Sequence, residues 1–274
     1  MLEISIVKIL PLYPNRTYLE FEVVNLEYLK VPLPTLTFYI ERGESSHATD
    51  PFTLVNPTGV ESYYYVDTYV NYLSFDSLPT YRVWTQYKNK KYYSPVSFLS
   101  RELRLDEIAR KRKILYDEEI VLRKFSGRKI AILKRRHVGD RCTLCYDPNT
   151  GSVTKSHCPT CFGTGFKDPY YKPFITYGAR LPEYKEVDEI SSDHGVEKDY
   201  TKFQILDYPT VRGQDLLVDL SSNDRYKIDR VETTEIRREI VHQELVATQL
   251  GRTDMEYRYN IGNDLFLLPT NISW

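Results

Sequence analysis

All four cysteines of this 274-residue chain fall between positions 142 and 161, as two Cys-x-x-Cys turns with twelve residues between them. Such a turn aims two thiolates at one point, and a second turn completes the four soft ligands of a tetrahedral metal site. The intervening YDPNTGSVTKSH has too few apolar groups to build a core, so the segment needs a staple. Cys142, Cys145, Cys158 and Cys161 are therefore read as the ligands of one structural Zn2+. Binding would supply folding free energy on the order of 10 kcal/mol. A catalytic zinc keeps a coordination position open, whereas four cysteines fill the shell. A redox Cys-x-x-Cys normally stands alone beside a βαβ unit, and nothing here reads as βαβ. The spacing also admits an iron–sulfur cluster, although paired symmetric turns suit zinc better. His137 and His157 are read as surface residues; His157 directly precedes Cys158 and is badly placed for a separate ligand.

Clustered thiols point to a metal site in a reducing compartment rather than a disulfide scaffold. The net charge of −1 gives no bulk signal for nucleic acid or membrane. With 41% hydrophobic and 27% charged residues, the chain is core-forming rather than disordered. Its opening MLEISIVKILPLYP is too short, polar and alternating for a signal peptide or membrane span, and predicts a strand from residue 2. Tyrosine is abundant, at 24 residues against 11 phenylalanines. That suits a β-rich protein with half-exposed faces, and equally one with large wet interfaces.

Periodicity divides the chain into four parts. Residues 1–99 carry alternating runs bounded by Pro, Asn, Gly or Asp: ISIVKIL, TYLEFEVVN, TLTFYIE, SYYYVDTYV, YRVWTQY and KYYSPVSF. These predict a β-sandwich, with a hairpin turning near Asn89. Residues 100–136 are a basic amphipathic helix and a linker strand. Ser100 is the expected N-cap, with Glu102 and Asp106 at the positive end. Ile108, Leu115 and Leu122 form the apolar stripe, widened by Leu105, Ile114 and Val121, and Gly127 is the stop. From 101 to 136 there are 13 Lys and Arg against 6 Asp and Glu. Arg110, Lys111, Arg112, Lys113, Lys134, Arg135 and Arg136 are thus candidates for a basic surface facing a partner or DNA, against the simpler reading of a solvated, ion-paired face. Residues 137–172 are the metal module. Residues 173–274 return to β, with candidate strands FQILDYP, DLLVDL, RYKIDRVE, IVHQELVATQL and MEYRYNI, and a hairpin turning at Ser-Ser-Asn-Asp. The acidic 183–200 stretch is expected to be a loop.

Four resemblances add to this. CPTCFGTGF matches the Cys-x-x-Cys-x-Gly-x-Gly repeat of the DnaJ-type zinc domain, with Gly163 and Gly165 suited to positive φ. The first knuckle, CTLCYDP, lacks such glycines, and the co-chaperone's His-Pro-Asp is absent, so the match implies knuckle geometry and not chaperone function. SLPTYRVW, through Leu78, Thr80 and Tyr81, resembles the entry to strand F of a fibronectin type III domain, and YYSPV its last strand. The order of parts resembles a family of virion structural proteins of tailed bacteriophages, over about residues 75–175. Lys134–Arg136, Cys142–Asp147, Thr154–Phe166 and Tyr170–Pro173 carry that resemblance. The family usually shows Gly-Gly where this chain has Lys167 and Asp168. GQDLLVDLSSNDRYKIDRVETTEIRREIVHQELVATQL is similar to the small β-barrels of head-completion or stopper proteins, with Asp215, Val218, Tyr226, Ile228 and Val231 fitting.

The resemblances imply a mainly β, multidomain protein: a fibronectin III-like β-sandwich (1–99), a linking helix (100–136), a four-Cys zinc knuckle module (137–172) and a small C-terminal β-barrel (173–274). They imply a non-enzymatic virion component at the head–tail interface. It would assemble in the host cytoplasm as a homo-oligomeric ring, touching portal, adaptor, neck or tail proteins and contacting packaged DNA, with no membrane partner. The alternatives are a zinc-ribbon nucleic-acid-binding protein and a tail or baseplate component. No Gly-x-Ser-x-Gly, Walker A, His-Glu-x-x-His or Rossmann fingerprint occurs.

Overall fold

The alternating runs pair into antiparallel ladders, and the protein is mainly β. The computed structural model describes residues 2–24, 33–43, 51–68, 70, 72, 78–99, 104–181, 184–187, 197–236 and 239–262. Two compact units emerge. The first comprises Met1–Tyr116, Arg136–Ser152 and Gly165–Tyr171; the second comprises Asp117–Arg135, Val153–Thr164 and Lys172–Trp274. Among the described residues there is no helix long and apolar enough to cross a membrane.

In the first unit the strands are β1 (Glu3–Leu12), β2 (Arg16–Val24), β3 (Phe38–Gly43), β4 (Phe52–Leu54), β5 (Tyr64–Asp67), β6 (Thr80–Tyr87), β7 (Lys90–Tyr93) and β8 (Ser97–Phe98). One sheet runs β1-β2-β5; the other runs β4-β3-β6-β7, with β8 also on β6. Their inward residues share one core of Ile4, Leu19, Phe21, Phe38, Ile40, Tyr81 and Val83. Beside that core the buried Asp67 carboxylate accepts from Arg42 at 2.8 Å and from the Tyr81 hydroxyl at 3.0 Å, so the buried charge is paired. The β6–β7 turn falls where the sequence predicts it. Lys88 (φ 49°) and Asn89 (φ 58°) both have positive φ, as a two-residue type I′ hairpin demands. Pro95 has no N–H to give a ladder, and it separates β7 from β8, which the sequence reads as one run.

The predicted helix is α1 (Leu105–Val121). Ser100 and Glu102 lie outside the described residues. The free N–H of Arg104 is instead accepted by Glu107 Oε2 at 2.8 Å. Ile108, Leu115 and Leu122 are buried, as the seven-residue spacing predicts, and Ile108 packs on Leu78 and Leu99. Val121 is 43% exposed and does not belong to the apolar stripe. Gly127 stops the helix by a different route from the one expected. Residues Leu122–Ser126 form a π turn, and Gly127 follows in extended conformation, not left-handed. A Cβ there would lie 2.1 Å from the Leu122 carbonyl oxygen, so only glycine permits the wide turn. The turn leaves Phe125 81% exposed.

The second unit holds a closed barrel. Its strands are β9 (Gly127–Leu133), then, past the short hairpin strands β10 (Tyr146–Asp147) and β11 (Ser152–Val153), β12 (Phe174–Arg180), β13 (Tyr184–Val187), β14 (Glu197–Leu206), β15 (Leu216–Asp219), β16 (Arg225–Ile236) and β17 (Glu239–Gln249). The order is β12-β9-β15-β16-β17-β14, and β14 returns to β12, so six strands close on themselves, with β13 attached outside on β14. Closure removes the free edges that an open sheet would leave. Phe203, Ile205, Leu217, Tyr226, Ile228 and Leu245 are buried, and the Phe203 and Tyr226 rings meet edge-on at 4.9 Å. The predicted β15–β16 hairpin is present, pairing Leu217 with Tyr226.

Three expectations change here. The linker strand 129–136 is a barrel member, β9, because its apolar IAIL pairs on both sides. MEYRYNI is not a strand: Met255–Arg258 forms a 3-10 turn, where the Tyr257 hydroxyl accepts the Arg225 N–H at 3.1 Å. The acidic stretch is not all loop, since Tyr184–Val187 pairs with Glu197–Tyr200; residues 188–196 lie outside the described set.

Candidate metal centre

β9 and β12 are antiparallel neighbours, so residues 134–173 form one long excursion between adjacent barrel strands. A connection of that length inside a compact fold is uncommon unless it is functional or stapled. The cysteines sit in it. Cys142, Cys145, Cys158 and Cys161 are all buried, none is in a disulfide, and their ligand atoms all lie within 4.8 Å of one another. In a tetrahedral site with metal–sulfur bonds of about 2.3 Å the sulfurs stand roughly 3.8 Å apart, so a small contraction seats an ion. The four residues can therefore bind one metal ion.

The two turns are built alike. Tyr146 N–H donates to the Cys142 carbonyl at 3.1 Å, and Phe162 N–H donates to the Cys158 carbonyl at 2.9 Å. Each knuckle thus curls through one i, i+4 bond that brings its pair of thiols to the same side. After the first, Asp147 caps the β10–β11 hairpin, accepting from Asn149 N–H at 2.9 Å and Thr150 Oγ1 at 3.1 Å. After the second, Phe162, Gly163 and Gly165 all take positive φ. Gly163 has φ +77°, and a Cβ on it would lie 2.5 Å from the Ser156 carbonyl oxygen. Gly165 offers its carbonyl to Cys142 N–H at 3.0 Å, tying the knuckles together. Gly163→Ala is expected to cost more than the roughly 1 kcal/mol of an unfavourable φ alone, because the Ser156 backbone must also move. Thermal melts of the metal-loaded variant check this, and an unchanged midpoint would contradict the geometry.

His137 and His157 are exposed, and His157 Nδ1 is 2.8 Å from Ser156 Oγ, in keeping with surface roles. His47 and His194 lie outside the described residues.

The basic candidates do not form one free face. Lys134 is buried and its ammonium donates to the Thr210 carbonyl at 3.1 Å. Arg135 donates to the Gly163 carbonyl at 2.9 Å, so it braces the second knuckle. Arg136 donates to the Tyr170 carbonyl at 3.1 Å and lies 5.0 Å from the Tyr171 ring. All three side chains thus donate to backbone carbonyls within the protein, and Arg135 and Arg136 are half-buried. On α1, Arg110 pairs with Asp106 at 3.3 Å, and Arg112 donates to the Pro14 carbonyl while lying over the Tyr72 ring. Lys111 and Lys113 also have partners.

Sequence reasoning missed Asp215 as the brace of the strand leading to the cysteines. Its buried carboxylate accepts Arg135 N–H at 2.8 Å and Arg212 N–H at 2.9 Å. Burial outweighs these bonds and the nearby Lys134 and Arg212 charges, and raises its pKa from 3.8 to about 6. The folded state therefore holds this proton more tightly than the unfolded chain. The contribution to stability is largest below pH 3.8 and declines as pH rises to about 6. Relative to Asp215→Asn, the wild-type protein should lose about 2–3 kcal/mol between pH 4 and pH 7. Urea unfolding of both proteins at the two pH values measures it; a gain over that range would refute the assignment.

No protein-family model, curated protein or solved structure matches the chain.

Proposed function

We propose that this chain is a non-enzymatic structural protein of a tailed-phage virion. It would act at the head–tail interface, assembled as a ring through protein–protein contacts, with one structural zinc. The observation that carries the reading is the closed six-stranded barrel whose β9–β12 connection holds the four-cysteine cluster. A small barrel at this position is what the resemblance to head-completion proteins implies, and the cysteine run is the most specific part of the phage resemblance. Zinc is favoured as the ion because four thiolates from paired symmetric turns suit its tetrahedral preference. A filled shell gives rigidity to a segment without core volume, a use that fits assembly better than catalysis.

The first unit supports a fibronectin III-like reading of its sheets. Its strand orders are β1-β2-β5 and β4-β3-β6-β7, and Leu78 and Tyr81 at the entry to β6 are both buried. The nucleic-acid-binding alternative through the 100–172 segment loses support, because Lys134, Arg135, Arg136, Arg110 and Arg112 all have partners within the chain.

Electron-microscopy reconstruction of the intact particle tests the proposal. The chain should appear as a ring at the single head–tail vertex. Its absence from purified particles, with the protein recovered only free in host cytoplasm, would refute the virion reading; density in the tail or baseplate would correct the address.

A further inference from the structure

We infer that the tip of the β6–β7 hairpin binds the phosphodiester backbone of nucleic acid without reading its sequence. From residue 77 to 101 the chain has no acidic residue and five Lys and Arg. Three of these cations, Lys88, Lys90 and Lys91, sit with Asn89 at the turn, and all four residues are exposed. None of the three lysines forms an ion pair among the described residues. Each ammonium is instead held near an aromatic ring: Lys88 at 5.3 Å from Tyr87, Lys90 at 5.5 Å from Tyr92, and Lys91 at 4.2 Å from Trp84. The rings restrain the stems, so less side-chain entropy is lost on binding. Glu41, beside Trp84, accepts from Arg82 Nε at 2.5 Å and from Trp84 Nε1 at 2.9 Å, so its charge is already matched.

Cations interleaved with aromatic rings, here Tyr87, Trp84, Tyr92 and the 45% exposed Tyr93, suit a nucleic-acid strand, and lysine is a point charge that tolerates the varied orientations of backbone phosphates. The tip carries three lysines and no arginine. The type I′ turn fixes these charges on a short hairpin, in contrast to Arg110, which is ion-paired with Asp106 on α1. One copy neutralises few phosphates, so its affinity is low and steeply salt-dependent. Several copies on one strand would add by avidity.

Fluorescence anisotropy of the full-length, zinc-loaded protein with a labelled mixed-sequence DNA duplex tests this. Three neutralised phosphates predict a slope of log affinity against log salt of about −2.7. Lys88→Gln/Lys90→Gln, which leaves Lys91 on Trp84, should bring the slope to about −0.9 and weaken low-salt binding at least about tenfold. Lys88→Arg/Lys90→Arg should retain the wild-type slope and guards against a folding artefact. Absence of binding at low salt would overturn the inference, as would a wild-type slope in the glutamine variant. Polyglutamate competing as well as DNA would also overturn it, assigning the tip to an acidic protein instead. None of these outcomes bears on the head–tail reading, which the particle reconstruction tests separately.

Discussion

Cys158→Ser is expected to lose the metal ion and the ordered structure of residues 137–172 together. Cys158 is 1% exposed, and its carbonyl also closes the second knuckle through Phe162 N–H. Serine at that position offers a poor ligand and leaves three buried thiols whose thiolate forms are no longer compensated. Because the segment has little core of its own, the free energy of metal binding is also its folding free energy, on the order of 10 kcal/mol. The ends of the excursion are held by β9 and β12, so the barrel should survive while the cysteine segment opens. Metal content and near-ultraviolet circular dichroism of the purified variant would show this, with proteolysis appearing first between residues 137 and 172. A variant that retains one ion and resists proteolysis as well as the wild-type protein would show that Cys158 is not a ligand.

The second large effect belongs to the barrel. Phe203 is fully buried and meets Tyr226 edge-on, whereas Phe125 is 81% exposed on its π turn. Phe203→Ala removes a buried ring from a closed barrel that cannot easily collapse around the space. It should cost about 3–5 kcal/mol of unfolding free energy. Phe125→Ala should change it by less than about 0.5 kcal/mol. Urea unfolding of both variants measures the contrast, and similar costs for the two would mean that the barrel interior is misassigned.

Much of this was legible in the sequence. The cysteine spacing predicts the cluster, because ligand geometry constrains residue type and separation at once. Alternation predicts β1, β2, β6, the Lys88–Asn89 hairpin and the β15–β16 hairpin, since period two is a local signal with one clear physical cause. What stayed hidden is non-local. IAIL at 130–133 reads as a short strand, but nothing local says that it pairs with both β12 and β15 and so makes the cysteine segment a connection between adjacent barrel strands. Lys134, Arg135 and Arg136 read as a basic surface because charge is visible in sequence and its internal partners, the Thr210, Gly163 and Tyr170 carbonyls, are not. Met255–Arg258 alternates like a strand, yet Asp254 accepting Gly251 N–H at 2.7 Å sets a turn just before it. Gly127 was recognisable as a stop, but the π turn that requires it depends on the position of the Leu122 carbonyl.

Four buried thiols, close enough to share one metal ion, hold the β9–β12 excursion together. Elemental analysis of the purified wild-type protein, combined with thiol titration before and after chelation, tests it most directly. About one zinc per chain is expected, with all four cysteines shielded from a thiol reagent until a strong chelator removes the ion. Metal-free protein that is fully folded, with its thiols behaving as ordinary buried cysteines, would contradict it.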